Sequence, residues 1–196
     1  SKTIYQLMQD PRKVKSHILR SKYKDLDLIK GSSLLSDNFQ NVDQLQKVLD
    51  PVKKRYDYII FDCRTSNEML TKNALFICDY LLTPVLLDGY CRDNLSDEKE
   101  IYDTACYLTG REIGWGVFAN RVRNKKSQRE IFIDLTQRHC YPFLNTCVTE
   151  RTAVEDALRL RKPLLKHAKR NQVTSDFWDL TREVIKKTGG DRNGRF

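Results

Sequence analysis

Two short, unbroken apolar runs stand near the middle of the chain, Tyr58–Phe61 and Leu81–Leu87. Polar Tyr56-Asp57 leads into the first run, which stops at Asp62; Pro84 interrupts the second. Short continuous apolar runs are the mark of strands covered on both faces. Between them, Asn67–Asp79 places Met69, Leu70, Ala74, Leu75 and Ile77 at helical spacing. The pattern predicts strand, loop, helix, strand. It continues with a helix over Asn94–Leu108, capped by Gly110, and a strand over Ile113–Ala119 that runs into Asn120-Arg121-Val122. A basic loop then opens a helix carrying Ile131, Phe132, Leu135 and Cys140. Pro142–Val148 reads as the last strand and Asp176–Lys187 as the last helix, with Phe177, Leu180, Val184 and Ile185 inside. Leu158, Leu160 and Leu165 are further core candidates.

Upstream, residues 3–22 read as helix, divided in two by Pro11, because proline cannot continue a helical hydrogen-bond ladder. Leu26–Ile29 is a short strand, and Val42, Leu45, Val48, Leu49 and Val52 trace an amphipathic helix with Pro51 near its end. These elements predict an α/β fold: a mostly parallel sheet flanked by helices on both faces, in one domain over residues 1–188. The tail, 189–196, is expected to be disordered.

Composition narrows the class. A chain of 196 residues with 40% apolar content supports a real core. No apolar run approaches the 18 or so residues of a membrane-spanning helix. The N-terminal stretch SKTIYQLMQD lacks the apolar centre of a secretory signal. Six cysteines are dispersed without a C-x-x-C pair, and several lie inside apolar patterns, so they read as reduced, mostly buried thiols. The net charge is +9. Residues 1–110 hold equal numbers of basic and acidic side chains, whereas residues 111–196 hold 19 basic against 10 acidic. A one-sided excess is compatible with an ordinary solvated surface and also favours a polyanion partner, most simply nucleic acid.

Two positions carry candidate chemistry. Asp62 ends a predicted buried strand, the place where open α/β sheets put their ligands and where nucleotide-hydrolysing proteins often hold an acid that supports Mg²⁺. The plainer reading is an acid that ends the strand or caps the next helix. Asn120 ends another predicted strand. Its carboxamide has both a donor and an acceptor and can read the edge of adenine, or it can cap the loop after the strand.

The words around these positions resemble a known family. YDYIIFD at 56–62, followed by Thr71, Asn73-Ala74-Leu75, Asp79 and Pro84-Val85, is similar to the "YDyiiiD" and "lT-NAL-aaD-vl-PV" pattern of the ParA/MinD deviant Walker-A (Soj-like) partition ATPases. Asn120-Arg121 matches the strand-terminal "vvNr" of the MinD branch. Thr149–Ala157 with Lys162-Pro163 resembles the closing "I-per-a-l-eA---gkPv", with Arg161 in place of the glycine. Another departure is Cys63-Arg64-Thr65-Ser66, where the family has prolines or small residues after the acid. The resemblance covers about residues 3–187. The K-G-G-x-x-K-T loop, whose backbone N–H groups and lysines cradle phosphate, is not found in this sequence, so the resemblance implies that the first strand and P-loop precede Ser1 and that Ser1 is not the natural start of the functional unit.

The resemblance implies a P-loop NTPase fold and a site for ATP and Mg²⁺ in which Asp62 holds the metal through water and Asn120, Arg121 and Pro163 lie at the nucleotide. No catalytic lysine of the Walker-A loop lies in this chain. It further implies an ATP-dependent homodimer that binds DNA without sequence preference, is stimulated by a ParB-like partner, and works in plasmid, chromosome or conjugative-element partition, hence a cytoplasmic, nucleoid-associated protein with no membrane partner. Arg123, Lys125, Lys126, Arg129, Arg159, Arg161, Lys166, Lys169 and Arg170 are the candidate DNA contacts. The alternatives are a non-hydrolysing pseudo-ATPase scaffold of the same fold and a MinD-like membrane-cycling ATPase.

Overall fold

The computed structural model describes residues 2–35, 41, 43–63, 69–139 and 141–189. The expectations for Val42, Arg64–Ser66, Cys140 and the tail 190–196 lie outside these residues, as do those for the side chains of Met69 and Leu70. The chain groups into two compact units, residues 1–78 with 101–111, and residues 79–100 with 112–196.

In the first unit, helix α1 (Ile4–Gln9) begins at Thr3, whose N–H donates to Gln6 Oε1 at 3.0 Å, half of a capping box. Pro11 opens a tight turn, Pro11–Lys13, that leads directly into α2 (Val14–His17). The helix ends there because Ile18 turns to an extended ψ of 123°, earlier than the expected end at residue 22. Leu19–Arg20 (β1) then pairs antiparallel with Asp27–Leu28 (β2). Helix α3 (Gln44–Leu49) stops just before Pro51, and α4 (Met69–Ile77) follows. Leu7, Met8, Val14, Leu45, Val48, Leu49, Val52 and Ala74 form one buried cluster. Asn73 is fully buried, and its Oδ1 accepts the Leu45 N–H at 3.3 Å, satisfying an otherwise unpaired donor at the start of α3.

The expected strand at Tyr58–Phe61 is not formed. No ladder joins these residues to another strand among the described residues, and Ile60 is 89% exposed. A run of strand-forming side chains needs a neighbour to pair with before it becomes a strand.

The second unit is built on β3 (Tyr80–Leu86) and β4 (Gly114–Asn120), paired in parallel with Tyr80 opposite Gly114 and Leu86 opposite Asn120. Helix α5 (Cys91–Thr109) connects them; its first part belongs to this unit and its remainder, from Ile101, to the first. Gly110 closes it with φ of 61°, the left-handed cap expected of it. Alternation in β4 sends Val117 and Ala119 to one face, packed with Val85, Leu87, Cys91, Leu95 and Leu135, and Phe118 to the other, packed with Leu144, Val148, Val173 and Leu180. Helices α5 and α6 (Lys126–Ile133) supply the first cluster, and α9 (Gln172–Lys187) the second. On the first face a polar chain crosses the sheet: Trp115 Nε1 donates to Thr83 Oγ1 at 3.0 Å, and Thr83 Oγ1 to Glu98 at 3.0 Å. Burial there pushes the Glu98 carboxyl up, against the hydrogen bond from Thr83.

The expected last strand, Pro142–Val148, is replaced by an irregular segment that meets β4 at an isolated bridge, Val117 to Phe143, and through the Val148 N–H to Ala119 O bond at 2.8 Å, with a second bridge from Val122 to Thr149. Side chains of α9 supply what a ladder would have supplied. Glu183 accepts the N–H groups of Asn145 and Thr146 at 2.8 and 2.9 Å and the Thr146 hydroxyl at 2.7 Å. Asp176 accepts the Thr149 N–H at 2.9 Å and its hydroxyl at 2.6 Å, with Gln172 on the other oxygen at 2.8 Å. Residues 176, 180 and 183 recur at helical spacing, so both acids and Leu180 share one face of α9. Phe177, expected inside, falls off that face and is 38% exposed. Leu158, Leu160 and Leu165 are likewise exposed, and α7 (Thr152–Arg159) buries only Ala157 fully. The thiols also depart from expectation: Cys91 is buried, but Cys63 and Cys147 are exposed.

Tyr80 lies across two glycines of the neighbouring strand. A Cβ on Gly114 would come 2.5 Å from Tyr80 Cδ2, and one on Gly116 would overlap the phenol oxygen. Among the described residues that oxygen is buried without a hydrogen-bond partner.

Two outcomes follow. Gly116→Ala should cost about 1–3 kcal/mol by overpacking, and Tyr80→Phe should be neutral or stabilise by up to about 1 kcal/mol by removing an unsatisfied hydroxyl; urea unfolding reads both. For Asp176 and Glu183, burial pushes each carboxyl up, but the hydrogen bonds from Thr149 and Gln172, and from Asn145 and Thr146, outweigh it and hold both below the usual carboxylate range. A folded-state pKa below the unfolded one gives stability that is present above the unfolded value, about 4, and is lost as pH falls through the folded value. Asp176→Asn should therefore flatten the acid limb of a stability-against-pH curve.

Candidate functional site

Asp62 sits in the first unit, exposed at the end of the irregular run after Phe61. The other predicted site residues sit in the second unit. Among the described residues no group of three or more His, Cys, Asp or Glu side chains is placed to hold a metal ion.

In the second unit β4 delivers Asn120 to the C-terminal end of the parallel pair. Arg121 then leaves the strand with φ of 52°, a left-handed conformation costly for a side chain with a Cβ. Asn120 Oδ1 accepts the Arg121 N–H at 3.0 Å, which fixes the carboxamide and leaves its NH₂ to donate elsewhere. That geometry fits a base edge that offers an acceptor. Val122 donates to Val148 O at 2.9 Å and accepts from the Glu150 N–H at 3.1 Å, so the turn is clamped to the segment that enters α7.

Glu150 is the residue the sequence did not announce. Arg121 reaches its Oε1 from Nη2 at 2.7 Å and from Nε at 3.2 Å, and Arg123 pairs with Oε2. Arg121 also lies 4.0 Å from Glu155. The acid stood in the Thr149–Ala157 stretch, read only for its resemblance, 29 residues from Arg121; the bridge between Val122 and Thr149 and the backbone bonds beside it bring them together.

The candidate DNA contacts divide by their partners. Arg123 pairs with Glu150, Lys126 lies 3.8 Å from Glu130, and Arg159 lies 3.1 Å from Asp156. Lys125 and Arg129 on the α6 entrance, and Arg161, Lys169 and Arg170 beyond α7, are exposed and form no ion pair among the described residues. Lys166 is exposed on α8 (Leu164–His167).

Arg161 explains one word of the pattern. The Lys162 N–H bonds Ala157 O at 2.9 Å, and the Arg161 N–H bonds Leu158 O at 3.0 Å, the paired bonds of a Schellman cap. Such a cap needs a left-handed residue, and Arg161 has φ of 51°. Glycine adopts it freely. Pro163 then turns the chain outward and caps α8, its carbonyl accepting the N–H groups of Lys166 and His167 at 2.9 and 3.0 Å.

A protein-family model described as an AAA domain matches residues 1–103, more than half of the chain. An uncharacterised protein of Mycobacterium tuberculosis is 23% identical over 96% of this chain and 62% of its own length. The sporulation initiation inhibitor protein Soj of Bacillus subtilis is 31% identical over 47% of this chain and 40% of its own. Among solved structures, the ATP complex of a McdA variant from Cyanothece superposes with a TM-score of 0.81 at 16% identity, covering 93% of this chain and 75% of that one. The likeness fixes the fold as that of the P-loop ATPases of this group. The chain belongs to the AAA-domain family and, within it, to the ParA/MinD-like partition ATPases. It spans about three fifths of the length of the first of these relatives, which it covers to 62%.

No described helix is long and apolar enough to cross a membrane.

Arg161→Gly should stabilise the second unit by about 0.5–1 kcal/mol, the left-handed penalty reduced by the greater freedom of glycine when unfolded. An unchanged or lowered urea midpoint would show that the cap carries no such penalty.

Proposed function

We propose that this chain forms part of a ParA-type ATPase of DNA partition that binds duplex DNA without sequence preference through the basic surface of its second unit. Lys125, Arg129, Arg161, Lys169 and Arg170 make the phosphate contacts, with Lys166 beside them. The reading is carried by one observation: Lys125, Arg129, Arg161, Lys169 and Arg170 are exposed and form no ion pair among the described residues, in a chain of the partition ATPase family. Cations already paired to carboxylates gain little from phosphate, whereas unpaired ones release the counterions of DNA on binding.

For the nucleotide, Asn120 of the second unit would present its NH₂ to the base, with Arg121 and Pro163 bordering it; the role of Asp62, holding Mg²⁺ through water, rests on the resemblance alone. Mg²⁺, when bound, neutralises charge on the phosphates. ATP-dependent homodimerisation, a ParB-like stimulating partner and association with the nucleoid in the cytoplasm belong to the same reading. A relative named chromosome partitioning protein ParA, from Myxococcus xanthus, supports the partition reading.

The test is affinity for a random-sequence duplex across a salt series. The slope of log affinity against log salt should lie near 0.9 per phosphate contact. Lys169→Gln with Arg170→Gln should reduce it by about 2 and weaken binding on every sequence equally. Binding that ignores both changes would refute this surface.

A further inference from the structure

Glu150 stands between two predicted functions. Through Oε1 it holds Arg121, the residue next to the proposed base reader Asn120, and through Oε2 it holds Arg123, the first cation of the loop that opens α6. Its backbone is fixed by the bond from its N–H to Val122 O at 3.1 Å, and Arg151 Nη1 donates to its carbonyl at 2.9 Å. The side chain is only 18% exposed, whereas Arg121 and Arg123 are more than half exposed. Arg123 is held from the backbone as well: its N–H donates to Gln128 Oε1 at 2.7 Å. The loop therefore presents two arginines at the surface whose charge one fixed carboxylate largely offsets. Lys125, two residues on, has no such partner among the described residues.

We propose that Glu150 is a shared counter-ion that withholds Arg123 from DNA phosphates, so that the loop of residues 121–123 joins the DNA surface only when the carboxylate lets go. The inference rests on the DNA-binding reading above. Duplex phosphates compete with Glu150 for Arg123, and the affinity gained there is the difference between two similar ion pairs. The carboxylate keeps binding weaker than the count of cations would give, and so more readily reversed. The two arginines also oppose each other on one anion. A ligand that drew Arg121 away would leave the whole carboxylate charge to Arg123 and tighten the block. The loop is thereby linked to the base-side turn through a single residue.

The test uses the full natural chain and a random-sequence 20-base-pair duplex. Glu150→Gln keeps the shape and removes the charge. It should tighten binding about threefold to tenfold at low salt and steepen the salt slope by about 0.9, or by about twice that if Arg121 is recruited as well. The double variant Glu150→Gln/Arg123→Gln should lose the part of that gain due to Arg123. A purely structural role for Glu150 would lower the melting temperature without steepening the slope, and that result overturns the proposal. Should Glu150→Gln fail to fold, nuclear magnetic resonance of the arginine Nε–H groups in the unaltered chain decides. The Arg123 signal should stay unmoved on adding duplex while that of Arg170 shifts; movement of both overturns the proposal. Failure of the underlying reading looks different: the unaltered chain binds no duplex, or binds it without regard to Lys169 and Arg170. Normal dependence on those residues with an unchanged slope in Glu150→Gln overturns this inference alone.

Discussion

The second unit depends on two carboxylates that reach sideways from one helix. Residues 142–149 meet β4 through three backbone hydrogen bonds, Val117 N–H to Pro142 O, Leu144 N–H to Val117 O and Val148 N–H to Ala119 O, and other donors of the segment are left over. Glu183 and Asp176 answer three of these N–H groups and two hydroxyls. A partly buried carboxylate accepts several strong hydrogen bonds at once, which neutral acceptors do less well. Leu180, between them on the helix, packs with Phe118 and Leu144. Polar and apolar contacts thus seat α9 in a single register. With the segment held, Val148 and Glu150 fall into place beside Val122, and the turn at Asn120–Arg121 gains its fixed shape.

That dependence explains which parts of the fold were legible in the sequence. The pair β3–β4 was legible because each strand is an apolar run long enough to stand out and each finds its partner. Helix α5 and its glycine cap were legible because cap and periodicity agree. Tyr58–Phe61 is an apolar run like β3 and was read in the same way, but apolar character marks a willingness to pair and says nothing of the neighbour. Residues 142–149 failed for the opposite reason. Their apolar pattern is genuine, but the N–H groups of Asn145, Thr146 and Thr149 go to side chains 27 to 38 residues away, and such contacts leave no local period. Phe177, Leu158 and Leu165 show the limit of helical spacing: it assigns a face, not whether anything covers it.

The candidate site follows the same division. The placement of Asn120 and Arg121 at a strand end and its turn was legible because that is a local event. The cations were legible as a group from charge alone. Their separation into paired and unpaired was not, since each pairing acid lies on another turn or another segment. Arg161 lies between these cases. The resemblance marked its position as one where glycine is usual, and the left-handed cap supplies the reason.

The contact of Tyr80 with Gly114 and Gly116 has a consequence for how such a sequence can change over time. The ring fills the space that two side chains would otherwise take. A mutation that enlarges position 116 is disruptive while the tyrosine remains, and loss of the tyrosine alone opens a gap over two bare glycines. Each change is poorly tolerated alone, and the two together are compatible. The order of substitution is therefore constrained, and residues 80, 114 and 116 should vary among descendants of this chain as a set, with intermediates that are short-lived or sheltered by stability gained elsewhere.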